Sequence, residues 1–126
     1  MNTKTISDSD QIKEAYADAW EKQDNWNSAV ARRNLKFRSS QWYTPDEFYA
    51  IMRQAIPQGY NEYNTDRVYG VFANGLSDIE IQIARESSPC LYIRGNSDTL
   101  KKLQRNKQLR ANEADIESGI LRLWWD

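Results

Sequence analysis

Residues 111–126 read Ala111-Asn112-Glu113-Ala114-Asp115-Ile116-Glu117-Ser118-Gly119-Ile120-Leu121-Arg122-Leu123-Trp124-Trp125-Asp126. The stretch is expected to form two strands joined at Ser118-Gly119, because Gly119 can supply the positive φ of a tight hairpin. Along the last strand, side chains alternate between faces: Ile120, Arg122 and Trp124 on one, Leu121, Leu123 and Trp125 on the other. A strand with one face in water alternates apolar with polar, and this one is apolar on both. A bent sheet with helices and a pocket on one side and a partner subunit on the other accounts for the pattern. It predicts a homodimer through the outer face of the terminal strands.

Working back from this hairpin, the spacing predicts further strands over residues 109–117, 90–94, 76–86 and 67–73. Asn74-Gly75 joins the last two as a hairpin, and Ile79, Ile81 and Ile83 share one face. Asn96-Ser97-Asp98 reads as the cap of a short helix over residues 99–105. The clearest helix signal is Thr44-Pro45-Asp46-Glu47: Thr44 caps, Pro45 suits the first helical position, and Glu47 reaches back to complete a capping box. Tyr43 is placed to staple Phe48, and the stripe Phe48, Ile51, Met52, Ala55, Ile56 ends at Pro57 and Gly59. Upstream, residues 1–8 are a polar arm expected to fray. A helix starts near Ser9 with Ile12, Tyr16 and Trp20 on one stripe, and a second short helix covers residues 26–33. Residues 35–38, Leu35-Lys36-Phe37-Arg38, read as an edge strand. Helices first and strands later give an α+β fold in a single domain, residues 1–126, with helices on one face of a strongly bent, mainly antiparallel sheet.

Composition narrows the chemistry. The 126 residues include five Trp, seven Tyr and three Phe at a net charge of −1. Such a chain carries no global field to steer nucleic acid or an anionic membrane, so neither is expected as a partner. Arg32, Arg33, Lys36 and Arg38, interleaved with Trp26 and Phe37, are read as a solvated face before a nucleic-acid site. With no histidine and one cysteine, Cys90, there is no Ser-His or Cys-His dyad, and no histidine or thiolate metal site. The five glycines are isolated and form no phosphate loop, so no cofactor is expected. Acid–base work falls to Asp, Glu, Tyr, Lys or Arg-assisted carboxylates. No apolar run reaches the length of a membrane span, residues 1–11 are polar, and a lone cysteine suits a reducing compartment; the expected location is the cytoplasm.

Three stretches, in this order, carry a family resemblance: Ile12-Lys13-Glu14-Ala15-Tyr16-Ala17-Asp18-Ala19-Trp20-Glu21-Lys22-Gln23-Asp24; Leu35-Lys36-Phe37-Arg38 ahead of Thr44-Pro45-Asp46-Glu47-Phe48; and Gly119-Ile120-Leu121-Arg122-Leu123-Trp124-Trp125-Asp126. Together they resemble the nuclear transport factor two-like superfamily, which includes SnoaL-like proteins, ketosteroid isomerase, scytalone dehydratase and limonene epoxide hydrolase. Residues 87–107 fit that pattern poorly and read as an insertion, and Ala31-Arg32-Arg33 also departs from it. The resemblance implies a cone-shaped α+β barrel with an apolar pocket at its open end, commonly dimeric through the outer sheet face.

It also implies candidate roles. Tyr16 matches the first-helix tyrosine that donates to an oxyanion in ketosteroid isomerases, although Arg38, Ser39 and Ser40 stand where their catalytic carboxylate follows the first strand. The alternative is a core aromatic bonded to backbone. Arg85, with Glu113, Glu86, Asp115 or Asp126, resembles the carboxylate–arginine cluster of the superfamily's epoxide hydrolases; the alternative is surface ion pairs. Trp20, Trp42, Tyr43, Met52 and Trp124 are the expected ligand-binding residues, with Trp42, Tyr43, Tyr60 and Tyr63 at the pocket mouth; the alternative is that such residues fill the core or staple a helix. The expected function is that of a small-molecule pocket protein, binding or transforming an apolar metabolite by metal-free acid–base chemistry as an isomerase, dehydratase or hydrolase does. The other reading is a non-catalytic dimeric interaction module.

Overall fold

The structure, a computed structural model, describes residues 3–17, 36–57, 59–74 and 78–126. Over them run α1 (Thr3–Ala15), β1 (Lys36–Arg38), α2 (Pro45–Ala55), α3 (Thr65–Ala73), β2 (Glu80–Glu86), β3 (Ser88–Arg94), α4 (Ser97–Gln104), a 3-10 turn (Lys107–Leu109), β4 (Glu113–Glu117) and β5 (Ile120–Trp124). The expected helix over residues 26–33 lies outside the described residues. Helix α1 begins ahead of its expected start near Ser9, since no glycine or proline interrupts the chain from Thr3 onward.

The fold is α+β. Its five strands form one antiparallel sheet in the order β1-β2-β3-β5-β4, open at β1 and β4. The β4–β5 hairpin turns at Ser118 (φ 52°) and Gly119 (φ 76°), two consecutive positive φ values that match the right-handed twist of the paired strands. Register follows: Glu117 faces Ile120, Asp115 faces Arg122, and Glu113 faces Trp124.

Helix α2 begins as its sequence requires. Glu47 N donates to Thr44 Oγ1 at 3.2 Å, and Thr44 N donates to Glu47 Oε1 at 2.9 Å, so both halves of the capping box are present. Residues 67–73 correct the sequence expectation. They are not a strand but the body of α3, capped by Asn64, whose Oδ1 accepts from Arg67 N at 2.9 Å. Val68, Val71 and Phe72 are buried at helical spacing, and Phe72 packs on Phe48 of α2 with ring centroids 5.5 Å apart. The β-branched and aromatic content that suggested a strand is outweighed by the apolar face α3 gives to α2. Asn74 therefore ends a helix and opens no hairpin. The penultimate strand is also shorter than expected: residues 107–109 form the 3-10 turn, and pairing starts at Glu113. Ser87, at φ 65°, reverses the chain between β2 and β3, whose pairing runs to Glu86 and Ser88. Pro89 lies within β3 and does not break it.

One core joins these elements. Ile12 and Tyr16 of α1, Phe48 and Met52 of α2, and Val68 and Phe72 of α3 pack on one sheet face made by Ile81, Ile83, Leu91, Ile93, Leu121 and Leu123. Trp125, fully buried just past β5, closes it: its indole N–H donates to Leu109 O at 2.8 Å and its ring meets Tyr63 edge-on at 5.0 Å. Among the described residues, no helix is long and apolar enough to cross a membrane.

Candidate functional site

The alternation of β5 sorts the candidate residues between two faces of the sheet. Leu121, Leu123 and Trp125 are buried, while Ile120, Arg122 and Trp124 are half-buried on the opposite, outer face. Tyr16, Tyr43 and Met52 belong to the core, each 2% exposed or less. The Tyr16 hydroxyl donates to the Ala84 carbonyl, and burial drives the phenol well above its ordinary pKa. Arg85 is also buried; its Nη1 donates to Ala15 O at 2.7 Å, and its guanidinium lies 5.3 Å from the Tyr16 ring and 5.4 Å from that of Tyr60. Tyr63 is a core residue whose hydroxyl is 3.0 Å from Thr65 Oγ1. Trp20 lies outside the described residues, as do Arg32 and Arg33.

Arg85 and Glu113 are thus not brought together. Adjacent strand residues face opposite ways, so Arg85 enters the core while Glu86 emerges on the outer face. The arginine that meets the acids is Arg122. Its Nη2 donates to Glu86 Oε1 at 2.8 Å and its Nε to the same oxygen at 3.3 Å, while Nη1 reaches Glu113 Oε1 at 2.7 Å. Tyr92 donates its hydroxyl to Glu86 Oε2, the Cys90 thiol lies 3.7 Å from that oxygen, and the Trp124 indole N–H donates to the Glu86 carbonyl at 2.8 Å.

This network comes from the sheet register, which lines up Gln82, Tyr92, Arg122 and Asp115 across four strands, and Arg38, Ala84, Cys90, Trp124 and Glu113 across five. Arg38 lies over the Tyr92 ring at 3.7 Å, its Nε donating to Gln82 Oε1 at 2.7 Å. At one margin Arg94 bridges Glu80 at 2.8 Å and covers the half-buried Trp42 at 4.3 Å. An open groove of about 640 Å³ follows the face, lined by Arg38, Tyr92, Arg122, Ile120, Asp115 and Glu117 among others. Asp126 stands apart, its backbone N–H donating to Asn112 Oδ1 and its carbonyl accepting from Asn61 Nδ2, each at 2.9 Å.

The electrostatics follow from these contacts. The hydrogen bond from Arg122 holds the Glu86 carboxyl below its usual range, with Tyr92 adding to the effect. Burial, then the Glu86 contact, pushes the Tyr92 phenol up to about 12, and the Cys90 thiol is likewise pushed up to about 12. Arg122 is held firmly charged by its two carboxylates. Sequence reasoning missed Arg122 and Tyr92. The available signal was that Arg122 is the one charged residue between Ile120 and Trp125.

No protein-family model matches the chain, and neither a curated protein nor a solved structure matches it.

Proposed function

We propose that this chain is a non-catalytic, dimeric interaction module that works through the outer face of its sheet. The observation that carries the reading is the half-buried row of Ile120, Arg122 and Trp124, in which Glu86 and Glu113 hold Arg122 and the Glu86 carbonyl holds Trp124. Aromatic and arginine side chains fixed in place before a partner arrives are what interface centres use, because little side-chain entropy is lost on binding. General acid–base catalysis asks for a group that titrates near the working pH. Glu86 is driven down, while Tyr92 and Cys90 are driven up to about 12. The Tyr16 hydroxyl, the candidate oxyanion donor, is engaged by the Ala84 carbonyl.

The partner in this proposal is a second copy. The outer face is basic at its β1 edge, through Lys36 and Arg38, and acidic at its β4 edge, through Glu113, Asp115 and Glu117. A two-fold axis running along the strands sets each basic edge over the partner's acidic edge. It also sets the small Ala84 over the bulk of Trp124, since both stand in the Arg38-to-Glu113 row. Resemblance to the nuclear transport factor two-like superfamily and its cone-shaped barrel forms part of the same proposal. Its support is the order of the first helix, the short strand, the Thr44-capped helix and the closing strand.

Sedimentation equilibrium at micromolar concentration tests the reading. The expected parent species is a dimer, which Trp124→Glu converts to a folded monomer; a parent that stays monomeric at high micromolar concentration overturns it. The groove beside Tyr92 supports a second reading, a site for a small molecule, since about 640 Å³ is within the size range of such sites. A ligand there meets two arginines and two carboxylates and so has polar, mixed-charge chemistry. The wholly apolar metabolite that Tyr16 suggested is not what this lining fits.

A further inference from the structure

The sheet ends at β4, whose outer edge pairs with no further strand among the described residues. Because the hairpin turns on two residues, Glu117 and Ile120 form a hydrogen-bonded pair, and so do Asp115 and Arg122 two residues along. Ile116 between them directs its backbone N–H and C=O away from the sheet. Ala114 does the same, as shown by Gln104 Nε2, which reaches the Ala114 carbonyl from outside at 3.0 Å. No such cover lies over Ile116 among the described residues, and Ile116 is the large apolar side chain left exposed there, at 36%.

The side chains of β4 say what fits. Asp115 and Glu117 share the outer face, and the carboxylate of neither has an ion-pair or hydrogen-bond partner among the described residues. Ala114 and Ile116 occupy the other face. The same flank opens into a pocket of about 250 Å³ in which Leu103, Leu109, Ala114 and Leu123 are rimmed by Arg105, Lys107 and Arg110. An added strand therefore meets carboxylates at every second position on one face and Ala114 and Ile116 on the other, with the basic pocket rim beyond Gln104. The sheet already contains a pairing of this kind. Its opposite edge, β1, alternates Lys36-Phe37-Arg38, and Lys36 stands directly across from Glu86.

We propose that the β4 edge binds an extended segment of a partner protein in which lysine or arginine alternates with apolar residues, adding a sixth strand to the sheet. Main-chain bonds at Ile116 supply affinity, and the alternating side chains supply selectivity. Charged edges discourage indiscriminate pairing, and here the same charges select a basic strand. A second copy pairing β4 with β4 across a two-fold axis sets acid against acid, so it is disfavoured. The backbone edge at Ile116 stays open in a dimer through the outer face, although Asp115 and Glu117 then also face the partner's basic edge.

The test uses the full chain and a fluorescein-labelled nonapeptide, Thr-Lys-Val-Lys-Val-Lys-Val-Lys-Thr, read by anisotropy at low salt. The control peptide has the same composition with its lysines contiguous. The alternating peptide is expected to bind more tightly than the control and to protect the Ile116 amide from hydrogen exchange. Asp115→Lys with Glu117→Lys is expected to weaken binding by roughly tenfold or more, since two cross-strand charge pairs turn repulsive. Ile116→Pro, which removes the outward N–H, is expected to abolish amide-dependent binding, and the charge-reversal variant keeps the test decisive should the proline variant fail to fold. Equal binding of both peptides, binding without protection of the Ile116 amide, or no binding overturns the proposal. So does concentration-dependent protection of that amide without peptide, which assigns the edge to a second copy.

Discussion

Tyr16→Phe removes one oxygen from the middle of the core and nothing else. The ring still packs in the cluster with Ile12, and the Arg85 guanidinium still lies 5.3 Å from it. What disappears is the bond to the Ala84 carbonyl, from a hydroxyl that is fully buried. A buried hydrogen bond contributes about 0.5–1.5 kcal/mol net, and the Ala84 carbonyl keeps its ladder partner Cys90 when the hydroxyl is removed. A loss of about 1 kcal/mol is therefore expected, roughly a fivefold change in the folded-to-unfolded ratio. For a urea slope of about 1–3 kcal/mol per molar, the midpoint falls by about 0.3–1 M with the slope unchanged. Chemical denaturation followed by tryptophan fluorescence and far-ultraviolet circular dichroism measures both. An unchanged midpoint refutes the reasoning: the hydroxyl is then not engaged by Ala84 in solution and is free to serve as a donor to a bound ligand, which restores the pocket reading.

Two further outcomes follow from local contacts. Thr44→Ala removes half of the capping box and should cost on the order of 1 kcal/mol; a urea midpoint equal to the parent's means that Glu47 alone holds the start of α2. Stability should also fall in alkali. The Cys90 thiol is raised from its ordinary 9.0 to about 12 and the Tyr92 phenol from 10.0 to about 12, so each loses its proton later in the folded chain than in the unfolded one. Their contribution is complete below the unfolded pKa values and is lost as pH rises from about 9 to about 12. Buried Tyr16 and Tyr63 act in the same direction. Urea midpoints measured from pH 8 to 12 should decline, with Cys90→Ala flattening the start of the decline; a flat profile for the parent contradicts the assignment.

Local chemistry made parts of this protein legible without a structure. Thr44-Pro45-Asp46-Glu47 specifies a helix start because its donors and acceptors lie within three residues of one another, and both bonds are found. Ser118-Gly119 specifies a hairpin because few residue pairs accept two positive φ values, and the alternation of Ile120 to Trp125 divides core from outer face as spaced. The α+β order follows from such signals.

Tertiary structure decided the rest. Residues 65–73 carry strand-favouring side chains, and the apolar face of α2 makes them a helix. Alternation predicts that Arg85 and Glu86 point apart, but it gives no means of knowing that Arg122, thirty-six positions after Glu86, is the residue that meets it. That pairing depends on β3 lying between β2 and β5, which places Tyr92 opposite both Gln82 and Arg122. The physical reason is range. Caps and turns are fixed by neighbours in the chain, whereas a cross-strand site exists only after register brings distant residues to the approximately 5 Å spacing of adjacent strands.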